Sequence, residues 1–238
     1  MEKNILILKN ISREGPGLIE DILQEHKLKY EIIEPDQIVH IKSLENIGAL
    51  IVLGGPNSAN DTDRNMGNEL DLIRKIVNAE IPYLGICLGL QTLVKALGGQ
   101  VIKCEPKEIG FRDQNNKYYT IGLTHQGRID NLFKNLTDSF TVFQLHGETV
   151  KLTSEMTLLA SGDICKNQIV RIGPNAYGIQ CHFELNEEML NLWIKHDYDL
   201  QQLDGNKVLS DYQVILDDYQ KMGRQLINNF LGLTGLID

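Results

Sequence analysis

A cysteine flanked by glycines is the residue in this sequence best suited to chemistry. The segment Gly85-Ile86-Cys87-Leu88-Gly89 follows a short apolar run and precedes an amphipathic stretch. A nucleophile between glycines at a strand-to-helix turn is a nucleophile elbow. The thiol then lies at a helix N-terminus, where the dipole and free N–H groups stabilise a thiolate, and the N–H of Leu88 points to where an oxyanion would form. The alternative is a small buried cysteine between two packing glycines.

The best candidate for a general base is His182. It ends the apolar run Tyr177–Cys181 and is followed two residues later by Glu184. Residues two apart in an extended chain face the same way, so Glu184 is expected to orient the imidazole and stabilise its protonated form. Cys181 and Phe183 would then point into packing. A strand-end histidine beside a solvated glutamate is the competing interpretation.

A glycine-rich turn offers further backbone donors. Gly54-Gly55-Pro56 follows the apolar run Ala49–Leu53, and ligands of open α/β sheets bind at the carboxyl ends of the strands. Glycines at such a turn let backbone N–H groups approach a substrate closely. An ordinary strand-to-helix turn would have the same composition.

The elements that must position these residues alternate between apolar runs and amphipathic stretches, the pattern of a parallel sheet with helices on its faces. We expect helices Leu18–His26, Asn68–Asn78 and Leu88–Leu97 between strands Asn4–Leu8, Tyr30–Ile33, Ala49–Leu53, Tyr83–Ile86 and Tyr177–Cys181. From 100 to 177, other strand-like runs predict a small antiparallel layer: Val101–Lys103, Tyr118–Leu123, Phe140–Gln144, Leu158–Ser161 and Gln168–Ile172. Two C-terminal helices are expected, one after the N-cap Asn186 and one over Lys207–Phe230.

Composition bounds the function classes. The chain has 238 residues and a net charge of −9, without the basic cluster that neutralises phosphates, so nucleic-acid binding is not expected. No apolar run approaches the roughly 20 residues of a membrane span. Four cysteines without a C-x-x-C pair argue against a zinc knuckle or a disulfide scaffold and favour a reducing cytoplasmic location. No metal or cofactor is predicted.

Six segments carry a resemblance that covers almost the whole chain. They are Leu53-Gly54-Gly55-Pro56, Tyr83-Leu84-Gly85-Ile86-Cys87-Leu88-Gly89-Leu90-Gln91, Leu97-Gly98-Gly99, Glu108-Ile109-Gly110-Phe111, Gln144-Leu145-His146-Gly147-Glu148 and Gly178-Ile179-Gln180-Cys181-His182-Phe183-Glu184. Together they resemble the class I, triad-type glutamine amidotransferases, in the stand-alone branch similar to the amidotransferase domain of GMP synthase. The resemblance implies an α/β fold: a three-layer, flavodoxin-like, mostly parallel sheet flanked by helices, with a small antiparallel β layer. It also implies one domain over residues 1–238, with C-terminal helices from about 186.

The resemblance further implies a catalytic role for three residues. Cys87 would attack the side-chain amide of glutamine, His182 would protonate the leaving amine and then activate water, and Glu184 would orient His182. Phe183 stands where many members of the family have proline.

Substrate-binding positions are implied by the same match: Gly54, Gly55, Leu88, Gln91, Gln144, Leu145 and His146. The N–H groups of Gly55 and Leu88 would form the oxyanion hole, and Gln91 would hold the glutamine. Residues 144–146 match the segment that binds the α-amino and α-carboxylate groups. Leu145 departs from the family, where serine or tryptophan is common.

The expected reaction is hydrolysis of glutamine to glutamate and ammonia through a γ-glutamyl thioester. No P-loop or adenylation signature is present, so ammonia would be released or passed to a separate synthetase or acceptor subunit. A γ-glutamyl peptidase that acts on γ-glutamyl peptides or conjugates would use the same triad and is one alternative. A non-catalytic regulatory or binding subunit is another.

Overall fold

A nine-stranded sheet forms the centre of the structure, a computed structural model that describes residues 3–41 and 43–237. The strand order is β2-β1-β3-β4-β11-β10-β9-β6-β7, and β5 pairs with β8 in a separate sheet. The strands are Asn4–Leu8 (β1), Tyr30–Ile33 (β2), Ile47–Val52 (β3), Tyr83–Ile86 (β4), Gln100–Gly110 (β5), Thr120–Leu123 (β6), Ser139–Thr141 (β7), Gln144–Lys151 (β8), Met156–Gly162 (β9), Ile169–Ile172 (β10) and Ala176–Ile179 (β11).

The first half of the main sheet is parallel. β2, β1, β3, β4 and β11 run in one direction, in the order typical of flavodoxin-like folds. The expected fold class is therefore confirmed, and the expected small antiparallel layer is the β5–β8 pair. The other strands predicted between 100 and 177 instead continue the main sheet in antiparallel fashion. Hydrophobic alternation predicts a strand but does not choose its neighbour.

Helices cover both faces of this sheet. They are Leu18–Glu25 (α1), Arg64–Asn78 (α2), Leu88–Ala96 (α3), His125–Arg128 (α4), Glu187–His196 (α5) and Gly205–Thr234 (α6). Side chains of a strand alternate between faces. In β1, Ile5 and Ile7 accordingly pack in the cluster that α1 and α6 cover, and Leu6 and Leu8 pack in the cluster that α2 and α3 cover. Within the described ranges, no helix combines the length and apolar character that a membrane crossing requires.

Side-chain caps explain where helix ends differ from the predictions. α2 begins four residues before Asn68 because the Asp63 carboxylate accepts from the N–H groups of Asn65 and Met66. α6 extends beyond Lys207–Phe230 at both ends, between the N-cap Asp204 and Gly235 in the left-handed conformation.

The N-cap prediction for α5 is confirmed. The Asn186 side chain accepts from the N–H of Met189 at 2.9 Å. The helix starts at the next residue, with Glu187 and Glu188 in its first turn.

Two predicted strands require correction. The run Phe140–Gln144 is not one strand, since β7 ends at Thr141 and β8 begins at Gln144 in the other sheet. β5 continues well past Lys103 because it pairs with β8, a strand that the apolar pattern does not indicate. The chain between β7 and β8 crosses from the main sheet to the small one, and Phe143 forms a bridge to His182 there.

Candidate active site

Cys87 lies on a strained turn between β4 and α3. Its backbone has φ 52° and ψ −104°, a conformation that side-chain-bearing residues rarely adopt. A Cβ on Gly85 would lie 2.3 Å from the Gly89 oxygen, and one on Gly89 would lie 2.3 Å from the Val52 oxygen. Glycine at both positions therefore avoids a clash that any side chain would cause. The N–H of Cys87 donates to the Ile179 carbonyl at 2.7 Å, which ties the turn to β11.

His182 and Glu184 form a buried pair just after β11. Nδ1 of His182 lies 2.7 Å from Oε1 of Glu184, and both side chains are only 3% exposed. The second oxygen, Oε2, accepts from the N–H of Phe183 at 2.9 Å. A proline at position 183 would lack this donor. Both carboxylate oxygens are thus engaged, and pairing at Nδ1 leaves Nε2 of the imidazole for a partner on the cleft side.

Charge raises the pKa of His182. Burial alone lowers this pKa, but the Glu184 carboxylate and a hydrogen bond with Cys87 outweigh it and raise the pKa to about 10. The imidazole is therefore protonated at neutral pH in the free protein.

The two C-terminal helices hold the backbone around His182. The Tyr219 hydroxyl of α6 donates to the His182 carbonyl at 3.0 Å, and the Tyr212 hydroxyl donates to the Leu185 carbonyl at 3.2 Å. The Trp193 ring of α5 stands edge-on to the imidazole, with 4.8 Å between ring centroids. The sequence pattern places these residues in apolar helix stripes and gives no further role. The sequence offers one hint for the two tyrosines, because a tyrosine in a buried helix stripe needs a hydrogen-bond partner for its hydroxyl group.

An open cleft of about 540 Å³ brings most of the predicted residues together. Cys87, Gly55, Gln91, Leu145, His146 and His182 all line it. Gly54 lies next to the imidazole at this cleft, since a Cβ on Gly54 would lie 3.1 Å from Cε1 of His182. Leu88 is the first residue of α3, so its N–H has no acceptor within the helix. The Gln91 amide donates to the Glu148 carbonyl at 3.0 Å.

The segment 144–146 divides between two places. The Leu145 carbonyl lies 3.7 Å from Sγ of Cys87. Gln144 instead lines a separate cavity of about 340 Å³ beside Glu108. Among the described residues, its Oε1 is buried without a hydrogen-bond partner. His146 borders the cleft, but its ring is held by Glu108 and Glu148.

Two residues near Cys87 carry no predicted role. Gln180 is fully buried, and its amide lies 3.7 Å from Sγ of Cys87. Glu14 lines the cleft, and burial raises the pKa of its carboxyl group. Gln180 belongs to the same sequence motif as His182 and Glu184, so the sequence could have indicated it. Glu14 belongs to no motif, and no spacing in the sequence points to it.

Cationic and anionic side chains share the wall of the cleft. Arg13, Lys103 and Lys107 stand beside Glu14 and Asp199, and Lys107 forms an ion pair with Asp199 at 2.7 Å. A wall of mixed sign suits a ligand that carries both charges, such as an amino acid.

Sequence comparison decides the family. The model for "Glutamine amidotransferase class-I" matches residues 17–191. This chain belongs to the class I glutamine amidotransferase family. The expected enzyme class, a glutaminase-type cysteine hydrolase, is confirmed by that membership.

Curated relatives of this amidotransferase fall into two groups. The glutamine amidotransferase-like protein YfeJ of Salmonella typhimurium is 33% identical over 184 residues, which cover 74% of each chain. The glutamine-hydrolyzing GMP synthase of Petrotoga mobilis is 30% identical over 76% of this chain but only 33% of its own length. In Methanococcus maripaludis, one subunit of a glutamine-hydrolyzing GMP synthase is 30% identical over 68% of this chain and 80% of its own.

Solved structures agree with the fold. A glutamine amidotransferase from Thermotoga maritima superposes with a TM-score of 0.85 at 26% identity, over 97% of this chain and 99% of the other. A glutamine amidotransferase from Methylobacillus flagellatus reaches the same TM-score at 23% identity, over 98% and 96%. The second likeness concerns the fold alone.

Proposed function

We propose that this amidotransferase hydrolyses the side-chain amide of glutamine, with Cys87 as nucleophile, His182 as general acid and base, and Glu184 as the residue that orients His182. The observation that carries the proposal is that a strained elbow cysteine and a histidine held by a buried carboxylate line one cleft. That arrangement supplies a nucleophile, a proton carrier and a fixed orientation.

The first half-reaction forms a thioester. Sγ of Cys87 attacks the amide carbon, and the negative charge that develops on the oxygen is stabilised by the N–H groups of Gly55 and Leu88. His182 gives a proton to the amide nitrogen, the carbon–nitrogen bond breaks, and ammonia leaves. The product is a γ-glutamyl thioester on Cys87.

The second half-reaction restores the enzyme. His182, now neutral, takes a proton from water, and the hydroxyl adds to the thioester carbon. The carbon–sulfur bond breaks, glutamate leaves and the thiolate of Cys87 re-forms beside protonated His182. Glu184 keeps Nδ1 of the imidazole protonated in both steps, so Nε2 carries the proton that moves.

Substrate contacts and the fate of ammonia complete the proposal. Gln91, His146 and the Leu145 backbone, together with Gly54, would line the glutamine site, and mixed charges on the cleft wall would receive the α-groups. Gln144 lies in a separate cavity, so it would not touch the glutamine and would affect the site only by supporting β8.

Because one relative is named as one subunit of GMP synthase, we propose that ammonia passes to a separate synthetase subunit when one docks and is released otherwise.

A γ-glutamyl peptide is the second candidate substrate. A cleft of about 540 Å³ has more room than glutamine alone requires, since pockets of 300–1,000 Å³ hold drug-sized ligands. A larger leaving amine would use the same triad.

Product analysis separates the two substrates. The purified protein is incubated with glutamine and, separately, with γ-glutamyl dipeptides, and glutamate, ammonia and free amine are measured. Ammonia from glutamine supports the first candidate, and amine release from dipeptides alone supports the second. Cys87→Ser should lower either turnover by at least about 10⁴-fold.

Covalent labelling covers the case of an enzyme that is slow without its partner. An electrophilic glutamine analogue such as 6-diazo-5-oxonorleucine should attach to Cys87, located by mass spectrometry of peptides. Cys104, Cys165 and Cys181 should stay unlabelled and serve as internal controls. Absence of both turnover and labelling at Cys87 contradicts the proposal.

A further inference from the structure

Four metal-ligating side chains converge outside the proposed triad. Their members are Cys104, Glu108, His146 and Cys165, all buried, and their ligand atoms lie within 4.8 Å of one another. Cys104 and Glu108 belong to β5, His146 to β8 and Cys165 to the loop between β9 and β10. Cys104, Glu108 and Cys165 have no role in the proposed glutaminase chemistry. His146 also borders the cleft and would line the glutamine site.

The hydrogen bonds of His146 leave a place for a cation. Nδ1 lies 3.1 Å from the Glu148 carbonyl, and because a carbonyl only accepts, Nδ1 must carry a proton. Nε2 lies 2.9 Å from Oε2 of Glu108. In the neutral imidazole, a lone pair on Nε2 would face a carboxylate oxygen, which is repulsive unless a proton or a metal ion lies between them. An Nδ1–H bond to a backbone carbonyl is also the usual support of a metal-bound histidine.

The two cysteines add soft sulfur ligands to this cluster. Sγ of Cys165 lies 3.1 Å from Oγ1 of Thr149, and both sulfurs lie within 4.8 Å of the Glu108 carboxylate and the His146 ring nitrogen. The thiolate is the form of cysteine that binds a metal ion, so metal binding releases the thiol proton. Buried anions beside a buried carboxylate are costly unless a cation compensates them.

We propose that Cys104, Glu108, His146 and Cys165 bind one zinc-like divalent cation through two sulfurs, Nε2 and a carboxylate oxygen. Two sulfurs and an imidazole suit Zn²⁺, whereas Mg²⁺ and Ca²⁺ prefer oxygen ligands. The carboxylate is already oriented for this, because Glu108 accepts from the Gln168 amide at 3.0 Å and from the N–H of Cys165 at 3.4 Å. Four protein ligands make a closed site of the structural kind.

The ion would link parts of the chain that the main sheet does not join. β5 and β8 pair only with each other among the described strands, and Cys165 follows β9 of the main sheet. Coordination would fasten the small sheet, which carries Leu145 next to Cys87, to the β9–β10 loop of the large one. Cys104 and His146 line the cleft, which provides the entry path. This inference does not depend on which substrate the triad hydrolyses.

Cobalt(II) titration tests the site. The reduced, metal-free Cys87→Ser protein is used together with the unsubstituted protein, because this change removes the other cysteine that lies beside a histidine. One equivalent of Co²⁺ should produce a thiolate-to-cobalt charge-transfer band and the intense visible bands of tetrahedral cobalt, and Zn²⁺ should abolish both. Zn²⁺ should also raise the Tm by several degrees, because a ligand that binds only the folded state stabilises it.

Substitutions assign the ligands. Changing even an outer partner of a metal ligand costs 10–100-fold in affinity, so Cys104→Ser and Cys165→Ser should each weaken Zn²⁺ binding by at least about 100-fold. His146→Ala should do the same, whereas His125→Ala, at an exposed histidine, should not.

Three results overturn the proposal, and each is read on protein whose fold is confirmed by circular dichroism. One is the absence of a charge-transfer band in the reduced Cys87→Ser protein, a readout that needs no ligand variant. Another is unchanged Zn²⁺ affinity in both cysteine variants. The third is a Cys104–Cys165 disulfide in air together with no cobalt binding by the reduced protein, which would identify a redox pair instead.

Discussion

At Glu184, each carboxylate oxygen has its own hydrogen-bond donor. Oε1 accepts from His182, and Oε2 accepts from the N–H of Phe183. Proline, which many family members have at this position, offers no such donor. In this chain the backbone itself therefore fixes the carboxylate that orients the imidazole.

Replacement of that donor gives a prediction at the scale of one residue. Phe183→Pro should lower kcat/KM by about 10-fold or more, because a hydrogen bond to a charged group contributes roughly 1.5–3 kcal/mol. Steady-state kinetics with the preferred γ-glutamyl substrate measures this. Phe183→Leu keeps the N–H and a similar apolar contact, so it should stay close to the parent. Equal activity of the two folded variants would refute the role of this donor.

At the scale of elements, α6 connects the hydrophobic core to the proposed base. Its apolar stripe packs against both the main sheet and a third cluster around Phe143 and Trp193. Within that stripe, Tyr212 and Tyr219 each donate to a backbone carbonyl of the loop after β11. The apolar stripe of α6 therefore does more than pack against the sheet, since it also positions the backbone of His182.

The two tyrosines form a matched pair for testing this. Tyr219→Phe and Tyr212→Phe each leave a carbonyl without its donor in a buried place, so each should lower the free energy of unfolding by about 1–3 kcal/mol in urea titration. Only Tyr219→Phe should also lower kcat/KM, because its partner is the carbonyl of His182. If both variants lose activity equally, α6 stabilises the fold without specifically positioning the histidine.

At the scale of the whole molecule, the charge pair in the site affects stability. The pKa of His182 is raised from its ordinary value of 6.5 to about 10. Between pH 6.5 and about 10, His182 is therefore protonated in the folded chain and mostly neutral in the unfolded chain. The stabilisation is fully present below about pH 6.5 and is lost as the pH rises through about 10.

Unfolding at several pH values checks this linkage. From about pH 6.5 to 10, the free energy of unfolding should fall by up to about 1.4 kcal/mol per pH unit from this group. Glu184→Gln removes the negative charge that raises the pKa, so its slope should be smaller. The raised pKa of Glu69, about 7, acts in both proteins and cancels in the comparison. Parallel curves for the two proteins would exclude the linkage.

Local chemistry follows from the amino-acid sequence alone. The Gly-x-Cys-x-Gly elbow, the His182-x-Glu184 spacing and the alternation of strands and helices each depend on residues close together in the chain, where backbone sterics and side-chain period decide the outcome. For that reason the elbow glycines, the His182–Glu184 contact and the parallel half of the sheet could be predicted from the residues.

Which distant residues meet depends on the folding of the whole chain. Nothing in the spacing of Cys104 and Cys165 indicates that their sulfurs lie beside His146, or that Gln144 faces a cavity other than that of Cys87. The pairing of β5 with β8, and the separation of β7 from β8 into different sheets, produce both results. Strand partners are chosen by the burial of whole faces across the molecule, and no local pattern contains that information.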